Sequence, residues 1–456
     1  MTAFSCGSVG ACVQCGKCLE VCPVLAATGR EELSPRAKAR LAHLALCEKG
    51  LGELEVARLA DLCLGCGRCA EVCAQGVDVP AAVAALRGAH PGWRSWLWKR
   101  WMEHAKTLWP LAAKLGGAVP GVAAGAFPAR VSGLVKLARG LGREPIRPFV
   151  AIESFPDAYR GREALLFPGC AASGAAGYWT SAAKALCDGL GLSLIGAEFS
   201  CCGSGLGMAG LAAERLAAAR RNVEIWRAAG KPMVVTFCAS CLRGLAGYAA
   251  DPAVLPGRAE AEAWAAALTP LTGLLKSARF VVSPFALMDA LMDAPGALET
   301  PDASAPKGLA YHRPCHAPHG AEGQGEDQDE ALLARMFGSA FGKMKISTRC
   351  CGFGGVLQLG EAPQPRGPAG PFSGPISGSV TARVAAACWA GLAEEGRDAS
   401  GPLTHKASGP LMHKASGPGR HPGLVLTGCT ACVFQLEATA PQGARAAHWL
   451  EALQTN

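Results

Sequence analysis

The chain has 456 residues, a formal net charge of +8 and 18% charged residues, enough length for about three domains with cores of their own. Its 22 cysteines fall in tight clusters within a long chain, which excludes a small disulfide-stapled scaffold. The basic balance comes without a basic recognition helix or an aromatic RNA platform, so no nucleic-acid partner is expected.

Met1 to Val13 has no basic stretch leading into an apolar one, so no secretory signal is expected and a reducing cytoplasm is. The first motif is Cys12-x2-Cys15-x2-Cys18-x3-Cys22-Pro23, and the second is Cys63-x2-Cys66-x2-Cys69-x3-Cys73. This is the spacing of bacterial two-cluster ferredoxins, in which the fourth cysteine of each run serves the other cluster. One [4Fe-4S] cluster is then expected on Cys12, Cys15, Cys18 and Cys73, the other on Cys22, Cys63, Cys66 and Cys69. Between the runs, Ser34 reads as an N-cap with Pro35 at the first helical position. Leu41, Leu44, Ala45 and Leu46 continue on one stripe, which predicts a helical ferredoxin type. Cys47 reads as a packing residue, and Cys6 has no partner at a ligand spacing.

From Pro91 the composition shifts. Trp93, Trp96, Trp98, Trp101 and Trp109 crowd a segment with Arg94, Lys99, Arg100, His104 and Lys106. Such a segment fills a seam between domains, offers a docking face, or lies on an anionic membrane surface. Leu108 to Phe127 is broken by Pro110, Lys114, Gly116-Gly117 and Pro120, so it does not span a membrane and any membrane contact would be peripheral. Gly116 to Gly140 has helical potential, and Glu144 to Asp157 reads as a proline-containing linker.

A unit then occurs twice. Ala164 to Phe167 runs into Cys170, Leu192 to Ile195 into Cys201-Cys202-Gly203, and Met233 to Phe237 into Cys238-Ala-Ser-Cys241. Leu309 to His312 runs into Cys315, Met344 to Ser347 into Cys350-Cys351-Gly352, and Leu424 to Thr427 into Cys429-Thr-Ala-Cys432. Neighbouring cysteines cannot both face one core from a regular strand. They need an irregular loop, which Gly203 and Gly352 help to supply. Soft thiolates favour zinc or iron-sulfur clusters, and five exceed the tetrahedral need of zinc. Cys187 and Cys388, inside helical patterns, read as packing residues. His312, His316 and His319 flank Cys315, either coupling protons to electron movement or donating hydrogen bonds to backbone and sulfur. Between the units, Ala259 to Leu268 and Phe285 to Met292 read as helix. About forty residues are added before Cys429, among them 361–378 and an octapeptide near 397–422 written three times, whose composition builds no core.

The expected fold is α/β with an N-terminal α-helical two-cluster ferredoxin domain and two repeated α/β cysteine-rich domains. The expected boundaries are 1–90 for the ferredoxin, 91–160 for a Trp-rich helical bridge and linker, and 161–305 and 306–456 for the two Cys-Cys-Gly domains. Their cysteine loops are expected to face the ferredoxin.

Two ferredoxin runs followed by two Cys…Cys-Cys-Gly…Cys-x-x-Cys units resemble the iron-sulfur subunits of glycolate oxidase and bacterial lactate dehydrogenases. They are also similar to the anaerobic glycerol-3-phosphate dehydrogenase C subunit and the heterodisulfide reductase D subunit. Tyr311-His-Arg-Pro-Cys-His316 and Cys350-Cys-Gly-Phe-Gly-Gly355 look most like the glycolate and lactate branch. The resemblance implies one or two further clusters, cubane or non-cubane, on Cys170, Cys201, Cys202, Cys238 and Cys241 and on Cys315, Cys350, Cys351, Cys429 and Cys432. It implies an electron-transfer subunit that serves an FAD-containing 2-hydroxy-acid dehydrogenase and passes electrons to quinone or another acceptor, cytoplasmic or peripheral on the inner face of the membrane. No Gly-x-Gly-x-x-Gly opens a helix after a strand, so no flavin is expected in this chain, and no catalytic residue is assigned. The alternatives are a heterodisulfide-reductase-like catalytic subunit and a structural zinc protein.

Overall fold

Ser34 accepts a bond from Ala37 N–H at 3.3 Å and starts the helix Pro35–His43, with Pro35 supplying the preset φ of a first helical position. Asp78 does the same for Val79–Ala89, accepting from Ala81 N–H at 2.9 Å. The apolar faces of these two helices meet over Ala39, Ala42, Val79, Ala82, Val83 and Leu86, which form the core of the N-terminal domain. This computed structural model describes residues 6–48, 61–117, 135, 137–199, 201–292, 308–317, 328–359, 380–393 and 421–455.

Cys6 and Cys47 correct an expectation. They form a disulfide, with Cα atoms 5.8 Å apart across 41 positions, so Cys47 is a bridged cysteine and not a free packing thiol, while Cys6, without a partner at a ligand spacing, finds one in this bridge. The short helix Cys6–Gly10 lies against Pro35–His43 and closes that distance.

The strands follow in chain order. β1 (Val150–Ser154) precedes a first sheet of β2 (Glu163–Phe167), β3 (Ser193–Leu194), β4 (Met233–Thr236) and β5 (Leu268–Pro270). β6 (Arg279–Val282) leads to a second sheet of β7 (Leu309–His312), β8 (Lys345–Ser347), β9 (Leu424–Thr427) and β10 (Arg445–His448). The first sheet has the order β3-β2-β4-β5 and the second β8-β7-β9-β10, and every pairing within them is parallel. The two units therefore share one topology, second-first-third-fourth. In such a sheet the order reverses beside the first strand, and loops at the carboxyl ends of the strands on either side open a crevice there.

Glu144 to Asp157 is not a free linker. Its β1 pairs antiparallel with β6, in register Val150↔Val282, and Phe149 and Val150 are fully buried. The tryptophan segment forms two helices, Trp93–Glu103 and Ala105–Gly117. Trp98 and Trp109 fill a seam, whereas Trp93 and Trp96 are 55% and 60% exposed. Among the described residues no helix is long and apolar enough to cross a membrane. Cys187 and Cys388 are fully buried. His319, nearly all of 397–422 and the whole of 361–378 lie outside the described residues.

At the end of β10, His448 Nδ1 accepts from Leu450 N–H at 3.2 Å, so the ring is neutral, and Trp179, Phe237 and Trp449 surround it. Burial lowers its pKa to about 4, and burial does the same to His312. An unfolded chain binds these protons near pH 6.5, the folded one only near 4, so stability is complete above about 6.5 and is lost as pH falls toward 4. Each histidine contributes up to roughly 3 kcal/mol of that loss. Thermal midpoints at pH 7.5 and 5 are expected to differ less in His448→Gln than in the parent chain; an equal difference would rule out this origin.

Candidate metal centres

The ferredoxin spacing produces a cavity lined by Cys22, Cys63, Cys66 and Cys69, the four thiols expected to serve one cluster. Cys22 also caps the helix Pro23–Thr28 and accepts from Leu25 N–H at 3.5 Å. Burial pushes the Cys66 and Cys69 thiols up, and neighbouring sulfurs add to it: Cys350 leads for Cys66, Cys63 for Cys69. Cys12, Cys18 and Cys73 pack against the core of this domain, Cys73 accepting from Val77 N–H at 3.4 Å. Cys15 is exposed beside Val13, which is 65% exposed.

In both repeat units the cysteines sit just beyond the carboxyl ends of the first three strands. Gly203 and Gly352 adopt φ +80° and +84°, turning the chain so that Gly203 N–H donates to Cys201 Sγ and Gly352 N–H to Cys350 Sγ, each at 3.4 Å. Cys238 and Cys429 are extended residues that start the helices Ala239–Ala246 and Thr430–Ala438. Gly169 leaves room for a buried sulfur: a Cβ there would stand 2.7 Å from Cys241 Sγ.

The ten thiols form one unbroken series of sulfur contacts. It runs Cys170, Cys201, Cys202, Cys241, Cys238, then Cys429, Cys432, Cys351, Cys350, Cys315. Read from either end, equivalent residues of the two units appear in the same order, so the series has a pseudo-twofold centre at Cys238···Cys429. Two hydroxyls cross that centre. Ser240 Oγ lies 3.0 Å from Cys429 Sγ, and Thr430 Oγ1 lies 3.4 Å from Cys238 Sγ. Ala239 N–H donates to Gly428 O at 2.9 Å, tying the same loops through the backbone.

Three of the ten thiols are the acidic members of the series, and Cys429, Cys432 and Cys351, which follow one another in it, are all raised. Cys202, Cys238 and Cys350 are held well below the usual thiol range because thiols on both sides donate to them. The donors Cys201, Cys241 and Cys315 are pushed up by those bonds and by burial, and Cys429 rises to about 12. Buried thiolates of this kind suit soft metal. Among the described residues no three His, Cys, Asp or Glu side chains form a single-ion site. The sulfurs are strung in a line rather than gathered about one point, which fits polynuclear iron-sulfur groups and not one tetrahedral zinc.

The ferredoxin loop sits on this series. Arg243 Nη1 donates to Cys66 O at 3.4 Å, to Cys315 O at 3.3 Å and to Glu71 Oε1 at 3.2 Å. His316 Nε2 lies 3.4 Å from Gly65 O, while its Nδ1 lies 2.9 Å from Ser240 Oγ. One imidazole thus joins all three cysteine-bearing regions. Burial, with Arg243 nearby, lowers its pKa. His312 is committed inside the second unit, to Thr427 Oγ1 at 3.3 Å and Arg349 O at 3.0 Å. On the other flank, Arg87 reaches Asp61 Oδ1 at 2.7 Å and Met208 O at 2.6 Å, and Trp98 Nε1 donates to Gly205 O at 3.1 Å. The cysteine spacing gave no sign of Ser240, Thr430, Arg87 or Arg243; only their places inside or beside the Cys-x-x-Cys loops set Ser240, Thr430 and Arg243 apart.

Residues 8–77 match the model of the 4Fe-4S dicluster domain, and residues 164–246 and 309–364 match that of the cysteine-rich domain. The second of these matches ends before Cys429 and Cys432, which the parallel sheet restores to the site. No curated protein and no solved structure matches the chain. The matched domains are of the iron-sulfur electron-transfer kind.

Proposed function

We propose, from the premise that the chain carries a 4Fe-4S dicluster domain and cysteine-rich segments, that it is the electron-transfer subunit of a flavin-dependent 2-hydroxy-acid dehydrogenase complex. The acid is lactate or glycolate, a partner flavoprotein oxidises it, and quinone or another carrier receives the electrons. The observation that carries this reading is the order of the thiol sets through the molecule. Cys15 is exposed at one end, Cys66 lies beside Cys350, and the ten-thiol series leads on to Cys170.

Clusters held by these thiols supply one-electron carriage, with potentials set by charge, burial and bonds to sulfur. Cys12, Cys15, Cys18 and Cys73 would hold the outer one, and Cys22, Cys63, Cys66 and Cys69 the inner one. Cys170, Cys201, Cys202, Cys238 and Cys241 and their five equivalents, Cys315, Cys350, Cys351, Cys429 and Cys432, would hold one or two more. The chain's own contribution is to exclude water from the inner sets and to aim Gly203 and Gly352 N–H at sulfur. Trp93, Trp96, Leu111 and Leu115, all more than half exposed, support a peripheral contact with the inner face of the membrane.

A second reading, reduction of a disulfide, draws on the opening of both five-thiol sets onto one cavity. It requires the isolated iron-loaded chain to turn over a small disulfide when given a strong reductant.

An anaerobic pull-down with the tagged chain tests the first reading, with dye reduction assayed on lactate, glycolate and glycerol 3-phosphate. A flavoprotein oxidising lactate or glycolate is the expected catch. Recovery of the iron-loaded chain alone, inert to all three, would move the weight to disulfide chemistry.

A further inference from the structure

Asn222 is fully buried in the alanine-rich helix Ala212–Ala228, where an amide side chain lowers helix propensity and costs desolvation unless its bonds are made. Its Nδ2 donates to Cys201 O and to Tyr248 OH, each at 3.1 Å. Tyr248, 1% exposed, in turn donates to Cys202 O at 2.9 Å. The two side chains therefore hold both carbonyls of the Cys201-Cys202 pair.

Peptide geometry links these bonds to sulfur. Cys202 O and Gly203 N–H belong to one planar peptide group, and Gly203 N–H donates to Cys201 Sγ at 3.4 Å. A donor on the carbonyl polarises the N–H across that peptide, and an amide donating to the tyrosine oxygen makes its O–H a better donor in turn. The chain of donors runs from Asn222 through Tyr248 and the Cys202–Gly203 peptide to Cys201 Sγ. The ring of Tyr248 is fixed separately: it stacks on Trp264 with centroids 5.5 Å apart, and Trp264 Nε1 donates to Leu245 O at 2.8 Å.

The second unit is built differently at the equivalent position. Thr439 stands seven positions after Cys432, as Tyr248 does after Cys241. Its hydroxyl donates back to Gln435 O at 2.7 Å and accepts from Trp389 Nε1 at 3.3 Å. Gly352 N–H still donates to Cys350 Sγ, so the aimed N–H is common to both units and the tyrosine is particular to the first.

We infer that Asn222 and Tyr248 are positioning residues that raise the reduction potential of the iron-sulfur group held by the first unit, by strengthening the bond from Gly203 N–H to Cys201 Sγ. An added electron makes the sulfurs more negative, and a stronger donor stabilises that state more than the oxidised one. The inference rests on the reading that the five thiols of this unit hold a cluster, and it favours the arrival of electrons at the Cys170 end of the series.

The test is a redox titration of the full iron-loaded chain followed by paramagnetic resonance, with the signal of the first unit identified by its loss in Cys202→Ser. Tyr248→Phe removes the hydroxyl and leaves the ring. It is expected to shift that signal's reduction equilibrium about threefold toward the oxidised form, ~30 mV lower for one electron. Asn222→Leu, which removes both amide bonds, is expected to shift it about tenfold in the same direction, ~59 mV. The midpoint in Thr439→Ala and the ferredoxin signals in every variant are expected to stay in place. Iron content separates tuning from a merely structural role, which would cost iron without moving the midpoint. Loss of iron from Tyr248→Phe, an unmoved or raised midpoint in it, or an equal drop in Thr439→Ala or in the ferredoxin signals would overturn the inference and leave the cluster reading intact. A parent chain with no Cys202-dependent signal would instead overturn the cluster reading, and the inference with it.

Discussion

Glu451→Ala is expected to lower the unfolding free energy by about 3–5 kcal/mol. Glu451 and Arg143 face each other through two bonds, at 2.8 and 2.9 Å, and their side chains are only 1% and 2% exposed. The carboxylate also accepts from Trp179 Nε1 at 2.9 Å, Ile146 N at 3.1 Å and His448 N at 3.0 Å. Bridge, first unit and second unit therefore share one buried anion. Burial pushes the Glu451 carboxyl up, but Arg143 and these donors prevail and hold it below its usual range. Truncation leaves the Arg143 charge buried with Tyr178 OH, at 2.9 Å, as its remaining neighbour among these contacts. The contrast is Glu71→Ala, which breaks a pair with Arg243 that is 36–40% exposed and should cost less than about 1 kcal/mol. Urea unfolding at pH 7 separates the two; equal and small losses would remove the buried pair from any account of how the units are joined.

Cys350→Ser is expected to cost about four irons per chain, the content of one cluster, while Cys388→Ser keeps the full content. Both thiols are buried within the second unit, so burial alone does not distinguish them. Their surroundings do. Cys350 receives bonds from Cys315 and Cys351 and sits against Cys66 of the ferredoxin loop, whereas Cys388 lies in the helix Val380–Ala393, 3.7 Å from Arg349 O and 3.8 Å from Ser347 Oγ. Because cluster binding is coupled to folding, Cys350→Ser should also lower thermal stability. Equal iron in the two variants would mean that the ten-thiol series does not hold metal.

Cysteine spacing was the most legible feature of the sequence, because ligand chemistry fixes it locally. The strands that deliver cysteine were legible too, since each is an apolar run ending in a thiol. The fourth strands were not. Leu268–Pro270 is three residues long, and Arg-Ala-Ala-His at 445–448 has little β propensity, so only pairing with β4 and β9 makes them strands. β1 was hidden among prolines and exists because β6 lies beside it. The Cys6–Cys47 link and the Cys238···Cys429 junction join residues far apart in sequence, and no local pattern encodes either. Trp98 and Trp96, two residues apart, had opposite fates that composition could not separate; helix Trp93–Glu103 turns one to the cavity and the other to solvent.

Iron and acid-labile sulfide per chain, measured together with the paramagnetic resonance spectrum after anaerobic loading and partial reduction, test the central claim most directly. The dicluster domain alone accounts for about eight irons. The expected result is a content clearly above eight, with matching sulfide and a further signal that disappears in Cys350→Ser. Eight irons and a spectrum indifferent to Cys350, Cys202 and Cys238 would contradict it, leaving the repeat units as buried thiols without a cluster.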